Sequence, residues 1–258
     1  MPKTVLAAQL WTVREFTKTP AEFAATLKKV RQIGYRAVQL SGHGPIEAKE
    51  VRKILREADL VCCGTHESAQ RFTEQFDQLV ADHKLWRCKF TGVGGFFKDG
   101  VTAQDYVDFA RKFDAIGARL REGGLTFVYH NHQHEFARFD GKLALELLME
   151  NSSGQNVTFE IDTHWVARGG GDPAAWILKC AARGPMPLLH LKDFKVNPAD
   201  KSPMFAEIGE GNLNWPAILK AAKKAKVRWY LVEQDLCARD PFESLKISYD
   251  NLIKMGLK

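Results

Sequence analysis

Cysteine is scarce in this chain, and what there is does not pair by spacing. Cys62, Cys63, Cys88, Cys180 and Cys237 are the five in 258 residues. An odd set without any CxxC excludes a small disulfide-stapled scaffold and leaves reduced, partly buried thiols and a reducing compartment as the expectation. No run approaches the ~18–20 continuous apolar residues of a bilayer crossing, so no membrane partner is expected. Residues 1–10 lack a basic start followed by a long apolar segment, so as the sequence stands the expected location is cytoplasmic. Glycine-rich phosphate loops and dinucleotide fingerprints are missing as well, because Gly92, Gly94 and Gly95 have the wrong spacing. Excess charge is small: 37 Lys and Arg against 31 Asp and Glu give +6. The lysines are spread along helix-like stretches such as 26–31 and 220–226, which argues against nucleic acid as a partner.

What is present is the composition of a folded globular chain, 45% hydrophobic and 26% charged, arranged in one repeated pattern. Short apolar runs begin near Thr4, Arg36, Leu60, Trp86, Leu125, Asn156, Pro187 and Arg228, each ending in a polar or glycine-containing segment as a strand does. Helix-like segments follow at 21–33, 47–58, 69–84, 103–122, 143–150, 173–182, 215–226 and 241–254. Thr19-Pro20, Asp172-Pro173, Asn214 and Asp240-Pro241 are helix-start signals. Eight strands alternating with eight helices imply right-handed βαβ crossovers and a parallel sheet. The count and length predict an α/β fold, a (β/α)8 TIM barrel, with one domain spanning 1–258.

In such a barrel the site forms at the C-terminal ends of the strands, and polar residues gather there. Strand three finishes at Thr65-His66-Glu67, strand five at Tyr129-His130-Asn131-His132, and strand six runs Glu160-Ile161-Asp162-Thr163-His164-Trp165. Strand seven reads His190-Leu191-Lys192-Asp193 and strand eight Val232-Glu233-Gln234-Asp235. The two-residue period puts His130 with His132, Glu160 with Asp162, His190 with Lys192, and Glu233 with Asp235 on shared faces. Inward-facing, they converge at one mouth, and a mixed Asp, Glu and His set suits Mn²⁺, Fe²⁺, Co²⁺ or Zn²⁺. Glu160 reads alternatively as the partner of a Lys or Arg on a neighbouring strand. Lys192 reads either as a contact to a substrate oxygen or as a salt bridge with Asp193 or Glu160. Trp11, Trp165, Phe96 and Phe97 offer flat walls or core anchors. His43 and His83 read as loop and helix-surface residues without a role.

The string Tyr129 to Phe136 (YHNHQHEF), Asp162 with Trp165, the run Gly169 to Pro173, His190-Leu191-Lys192-Asp193, Gly209-Glu210-Gly211 and Val232-Glu233-Gln234-Asp235 together resemble the xylose-isomerase-like barrels of the sugar phosphate isomerase/epimerase family. The resemblance extends to residues 9–14 and to Thr65-His66, and so spans nearly the whole chain. It implies one divalent metal, Mn²⁺ first and Co²⁺, Fe²⁺ or Zn²⁺ as alternatives, with Asp162, His190 and Glu233 as ligands. The family's strand-five Glu is replaced here by His130. Either His130, Glu135 five residues later or His132 supplies that ligand, and Glu135 is preferred for its hard oxygen. The activity implied is metal-dependent isomerisation or epimerisation of a sugar or keto-sugar by proton abstraction next to a carbonyl. Glu233, His130 and Lys192 would be the catalytic groups, and His66, His132, Trp165 and Trp11 would bind the substrate. The alternative is a lyase or dehydratase acting on a 3-keto-glycoside or keto-inositol. An abasic-site endonuclease or a non-catalytic sugar-binding barrel is less favoured, the former because position 165 is Trp and no Asp-x-His follows Lys192. The expected partner is a small sugar or cyclitol, and barrels of this type commonly pair as homodimers.

Overall fold

The computed structural model describes residues 4–257. Its main sheet has eight strands: β1 (Val5–Gln9), β2 (Ala37–Leu40), β3 (Val61–His66), β4 (Phe90–Val93), β5 (Thr126–His130), β6 (Val157–Glu160), β7 (Leu188–Leu191) and β8 (Trp229–Val232). All the paired neighbours are parallel, in the order β6-β5-β4-β3-β2-β1-β8-β7. The two ends of that order are joined by a parallel bridge between Asp162 and His190. The result is the nearly closed TIM barrel that the alternation predicts. Four of these strands, β2, β6, β7 and β8, are buried along their whole length, as parallel strands covered by helices are expected to be.

The covering helices are α1 (Pro20–Ile33), α2 (Ala48–Glu57), α3 (Phe76–Trp86), α4 (Ala103–Glu122), α5 (Ala144–Glu150), α6 (Pro173–Arg183), α7 (Trp215–Lys224) and α8 (Pro241–Lys254). Their starts follow from local chemistry. Thr19 and Glu22 form a reciprocal capping box before α1, and Asp172, Asn214 and Asp240 accept the first free amides of α6, α7 and α8. No described helix is long and apolar enough to cross a membrane.

Two expectations shift. The helix read over 69–84 is broken at Gln75 (φ −130°, ψ 33°) into Arg71–Glu74 and α3. The strand placed near Trp86 starts at Phe90, because Trp86 completes the buried face of α3 and its indole donates to Ala48 O at 2.9 Å. Two antiparallel hairpins are additions, Arg138–Phe139 with Lys142–Leu143 and Asp193–Val196 with Pro203–Ala206.

Two apolar layers hold the fold. The larger lies between sheet and helices, with Phe23, Leu27, Phe72, Phe113, Phe127 and Ile177 among its buried members. The smaller fills the barrel itself with Ala7, Ala37, Cys63, Val128, Leu188 and Leu231. Gly117 on α4 lets that helix approach the turn before β6, since a Cβ there would lie 2.2 Å from Asn156 O. On a free helix face Gly→Ala stabilises by up to about 1 kcal/mol. Here overpacking reverses the sign, and Gly117→Ala is expected to destabilise by about 1–3 kcal/mol in urea denaturation.

Candidate active site and metal centre

The apolar filling of the barrel dictates where the polar groups go. Side chains alternate along a strand, so the residue two places after an inward-facing one also faces inward, one layer higher. Ala7 is followed in this way by Gln9, Ala37 by Gln39, Val128 by His130, Leu188 by His190 and Leu231 by Glu233. Strand β3 reaches the same layer through an irregularity. Its register against β2 slips between Val38 and Gln39, so that Gln39 faces Gly64. That bulge re-aims the strand and brings His66 inward, where its ring stacks on His190 (centroids 5.4 Å apart, 13° between planes). Gly64 is small where Gln39 needs room, since a Cβ would sit 3.1 Å from Gln39 Nε2.

Asp162 lies just past β6, where its carboxylate caps the short helix Thr163–Arg168 by accepting from Trp165 N at 3.0 Å. Its own amide donates to Asn131 Oδ1 at 3.0 Å. Across the barrel seam, His190 N donates to Ile161 O at 2.9 Å. The backbone contact that closes the barrel therefore also brings Asp162 and His190 together.

Four donor atoms, one each from His130, Asp162, His190 and Glu233, lie within 4.8 Å of one another. His130 Nδ1 is 3.3 Å from Gly94 O; a carbonyl only accepts, so that nitrogen carries the hydrogen. Its Nε2 then turns a lone pair toward Asp162 Oδ2 at 3.1 Å. His190 Nδ1 lies 2.8 Å from Glu233 Oε2 and 3.9 Å from Asp162 Oδ2. A lone pair aimed at a carboxylate is repulsive unless positive charge lies between them. Two imidazole nitrogens and two carboxylates in this arrangement therefore fit a divalent cation of the Mn²⁺ to Zn²⁺ series.

Charge balance points the same way. Glu160, Asp162 and Glu233 are buried, with the buried Lys192 ammonium beside the last two. Lys192 Nζ lies 3.1 Å from Asp162 Oδ2, 3.0 Å from Glu233 Oε2 and 2.5 Å from Asp235 Oδ2. Burial by itself raises carboxyl pKa values and lowers those of imidazoles. Against it, His190 holds Glu160 well below the usual carboxylate range, and Lys192 does the same for Asp162 and Glu233. His190 is likewise pulled down by burial but held up at about 10 by Glu160 and Glu233. Burial and the neighbouring Glu233 push Asp235 up to about 6. Burial and His190 keep His130 low, and burial with His130 brings His132 down to about 2. The two strand-five imidazoles are therefore neutral.

Glu135, the preferred strand-five ligand from sequence, is not brought to this group. Its carboxylate accepts from Tyr129 Oη at 2.5 Å and from His132 N at 2.8 Å, and lies 3.1 Å from His134 Nε2. It ties the loop after β5 together, and His130 stands in the cluster in its place. Lys192 bridges Asp162, Glu233 and Asp235, not Asp193 or Glu160. The Asp193 carboxylate instead accepts from Gly209 N, Gly211 N and Trp215 Nε1 (2.9, 3.1 and 2.7 Å), anchoring the loop before α7. Glu160 finds no Lys or Arg; it pairs with Gln39, His66 and His190. His83 is buried rather than on a helix surface, bonded to Thr65 Oγ1 at 2.8 Å and Leu79 O at 2.7 Å.

Of the residues read as substrate-binding, His132 and Trp165 stand together beside the cluster (ring centroids 5.1 Å apart). His132 Nδ1 and Trp165 Nε1 are buried without a partner. Trp11 is 39% exposed, follows β1 and carries the Arg14 guanidinium 4.5 Å above its ring. Phe97, 69% exposed, packs edge-on to His132, while Phe96 is held against Tyr106 and Phe109. His164 donates from Nδ1 to Asp193 O at 3.0 Å and stacks on Phe205 of the second hairpin. Sequence reasoning missed Gln39, which contacts both Glu160 and His190; its only signal was its place two residues after an inward-facing alanine.

Known proteins share this arrangement of strands. The chain is 23% identical over 274 residues to the rhizopine catabolism protein MocC of Rhizobium meliloti, covering 92% of this chain and 82% of that one. It is 22% identical over 290 residues to inosose dehydratase of Mesomycoplasma hyopneumoniae, covering 97% and 95%. A sugar phosphate isomerase/epimerase structure from Parabacteroides distasonis superimposes with a TM-score of 0.81 over the full length of both chains at 22% identity. A sequence model of the xylose isomerase-like TIM barrel matches residues 27–236, and the chain belongs to that family.

Proposed function

We propose that the protein is a metal-dependent enzyme that removes the proton next to the carbonyl of a keto-sugar or keto-cyclitol, with β-elimination of water or of an alcohol as the outcome. The observation that carries this reading is the meeting of His130 Nε2, Asp162, His190 Nδ1 and Glu233 around one small space. These four would hold one divalent ion, Mn²⁺ first and Co²⁺, Fe²⁺ or Zn²⁺ as alternatives. When bound, such an ion supplies Lewis-acid polarisation of a carbonyl and stabilises enolate charge.

The chain's own groups divide the remaining work. Glu233 is held ionised by Lys192 and His190 and is the proton acceptor. Lys192 presents its ammonium where negative charge develops on oxygen. Asp235, bonded to that ammonium and poised at about 6, returns a proton to the leaving oxygen. His132 is neutral, so its unpartnered Nδ1 binds a substrate hydroxyl, with Trp165, Trp11 and His66 lining the approach.

Elimination is favoured over inversion by the state of His130. Inverting a carbon calls for a base on each face. The strand-five position here is an imidazole whose Nδ1 is committed to Gly94 O and whose Nε2 faces Asp162, so it is not free to shuttle a proton. The inosose dehydratases among the relatives support this choice. Epimerisation or isomerisation is the second reading, supported by the isomerase/epimerase among the structural neighbours.

Incubation with a panel of keto-inositols and keto-sugars in D₂O tests the assignment. Elimination predicts release of water or alcohol with an unsaturated product, activity lost on chelation and restored by Mn²⁺ or Co²⁺, and a fall of about 10²–10⁴ in kcat for Glu233→Gln. Full turnover in metal-free protein overturns the metal reading, and deuterium entry without loss of water or alcohol selects the second. Ion binding also has a proton signature. Free of metal, His190 has its pKa held up at about 10 and is protonated at neutral pH, whereas a ligating imidazole must be unprotonated at the coordinating nitrogen. Mn²⁺ binding near pH 7.5 is therefore expected to release about one proton and to tighten as pH rises toward 10, read by calorimetry in buffers of different ionisation enthalpy.

A further inference from the structure

Beneath the four donor atoms lies a layer of amides, imidazoles and one carboxylate, and its hydrogen bonds run in a single direction. Trp11 N donates to Gln9 Oε1 at 2.9 Å, which leaves the Gln9 amide nitrogen as a donor. That nitrogen gives one hydrogen to Gln39 Oε1 at 2.9 Å and faces His66 Nδ1 at 3.3 Å. Gln39 Nε2 then donates to both oxygens of Glu160 at 2.8 and 3.1 Å. With its Nδ1 accepting, His66 carries hydrogen on Nε2, which reaches Glu160 Oε2 at 3.1 Å. His190 Nε2 stands between two acceptors, Glu160 Oε1 at 2.9 Å and Gln39 Oε1 at 2.8 Å.

Each amide orientation and each ring tautomer in this layer follows from the one before, beginning at a backbone N–H whose polarity cannot invert. A nitrogen facing two acceptors must hold the hydrogen. We infer that Glu160, oriented by Gln39, is the positioning residue that keeps the His190 hydrogen on Nε2 and so leaves Nδ1 as the nitrogen turned to Asp162 and Glu233. A carboxylate behind a ligating imidazole fixes its tautomer and orientation in this way. The inference rests on the proposed metal site for its consequence, but its structural content, the His190 Nε2–H held on Glu160 and Gln39, does not need an ion.

The isosteric Glu160→Gln replaces two accepting oxygens with one. Its NH₂ then meets the N–H of either His66 or His190, and relief requires a ring to change tautomer. Two-bond ¹H–¹⁵N correlation spectra of the ion-free full chain, with His190 assigned by its loss in His190→Asn, read that tautomer directly. Calorimetric titration with Mn²⁺ reads the consequence. In the ion-free wild type at neutral pH His190 is expected as the imidazolium with its Nε2–H protected by Glu160 and Gln39. In Glu160→Gln the Nε2–H signal is lost or moves to Nδ1, and Mn²⁺ binds about 10–100-fold more weakly with the circular dichroism spectrum unchanged. Gln39→Met removes the orienting amide without touching a carboxylate, and the same two changes are expected should Glu160→Gln fail to fold. Glu160→Asp, which keeps both oxygens, is expected to restore part of the affinity. An unaltered His190 tautomer in the folded variants, or Mn²⁺ affinity within threefold of wild type, overturns the inference. A wild type that binds no Mn²⁺ defeats the metal reading instead, and the spectra still decide the positioning role.

Discussion

Three buried carboxylates held by one buried ammonium and one buried imidazole are the constraint to which the rest of this barrel answers. Taking such charges out of water costs several kcal/mol per ion unless geometry and hydrogen bonds compensate it. Lys192 compensates Asp162 and Glu233, His190 compensates Glu160 and Glu233, and the Gln39 amide from β2 donates to Glu160 as well. The apolar filling below and the covering helices outside keep water from doing that work. The arrangement is therefore unforgiving. Removing one partner of a buried pair commonly destabilises by about 3–5 kcal/mol, because what remains is an uncompensated charge rather than a missing contact.

Much of this was legible in the chain itself. The barrel follows from eight apolar runs alternating with eight helices, and His190 and Glu233 follow from strand alternation one inward step above Leu188 and Leu231, with Asp162 one step above the inward-facing Glu160. The parts that sequence could not supply share a physical cause: they depend on where loops and amides turn. Glu135 is a carboxylate three residues after His132, and only the fold of that loop turns it onto Tyr129 and His134. Gln39 was passed over because an amide neither titrates nor ligates strongly, yet its two-ended chemistry connects Glu160 to His190. His83 looked like a surface residue because periodicity does not reveal that Thr65 stands opposite it. Trp86 looked like the start of a strand because the buried face of a helix and the start of a buried strand are both apolar.

The exchange of a strand-five carboxylate for His130 alters more than a ligand. A carboxylate would add a fourth buried negative charge to the group, whereas a neutral imidazole adds none. The Lys192 ammonium is present in the same space, beside Asp162 and Glu233, so the chain reaches balance with less negative charge. An ion held there would feel a weaker field from its ligands and a stronger one from its neighbour.

The seam between β6 and β7 gives the architecture a particular vulnerability. The barrel is closed there by one bridge, between Asp162 and His190, where its other neighbouring strands share two or more register pairs. Spreading of the cylinder along that line and dispersal of the reactive cluster would be a single event. The backbone contact that closes the cylinder and the side chains of the cluster therefore belong to the same two residues.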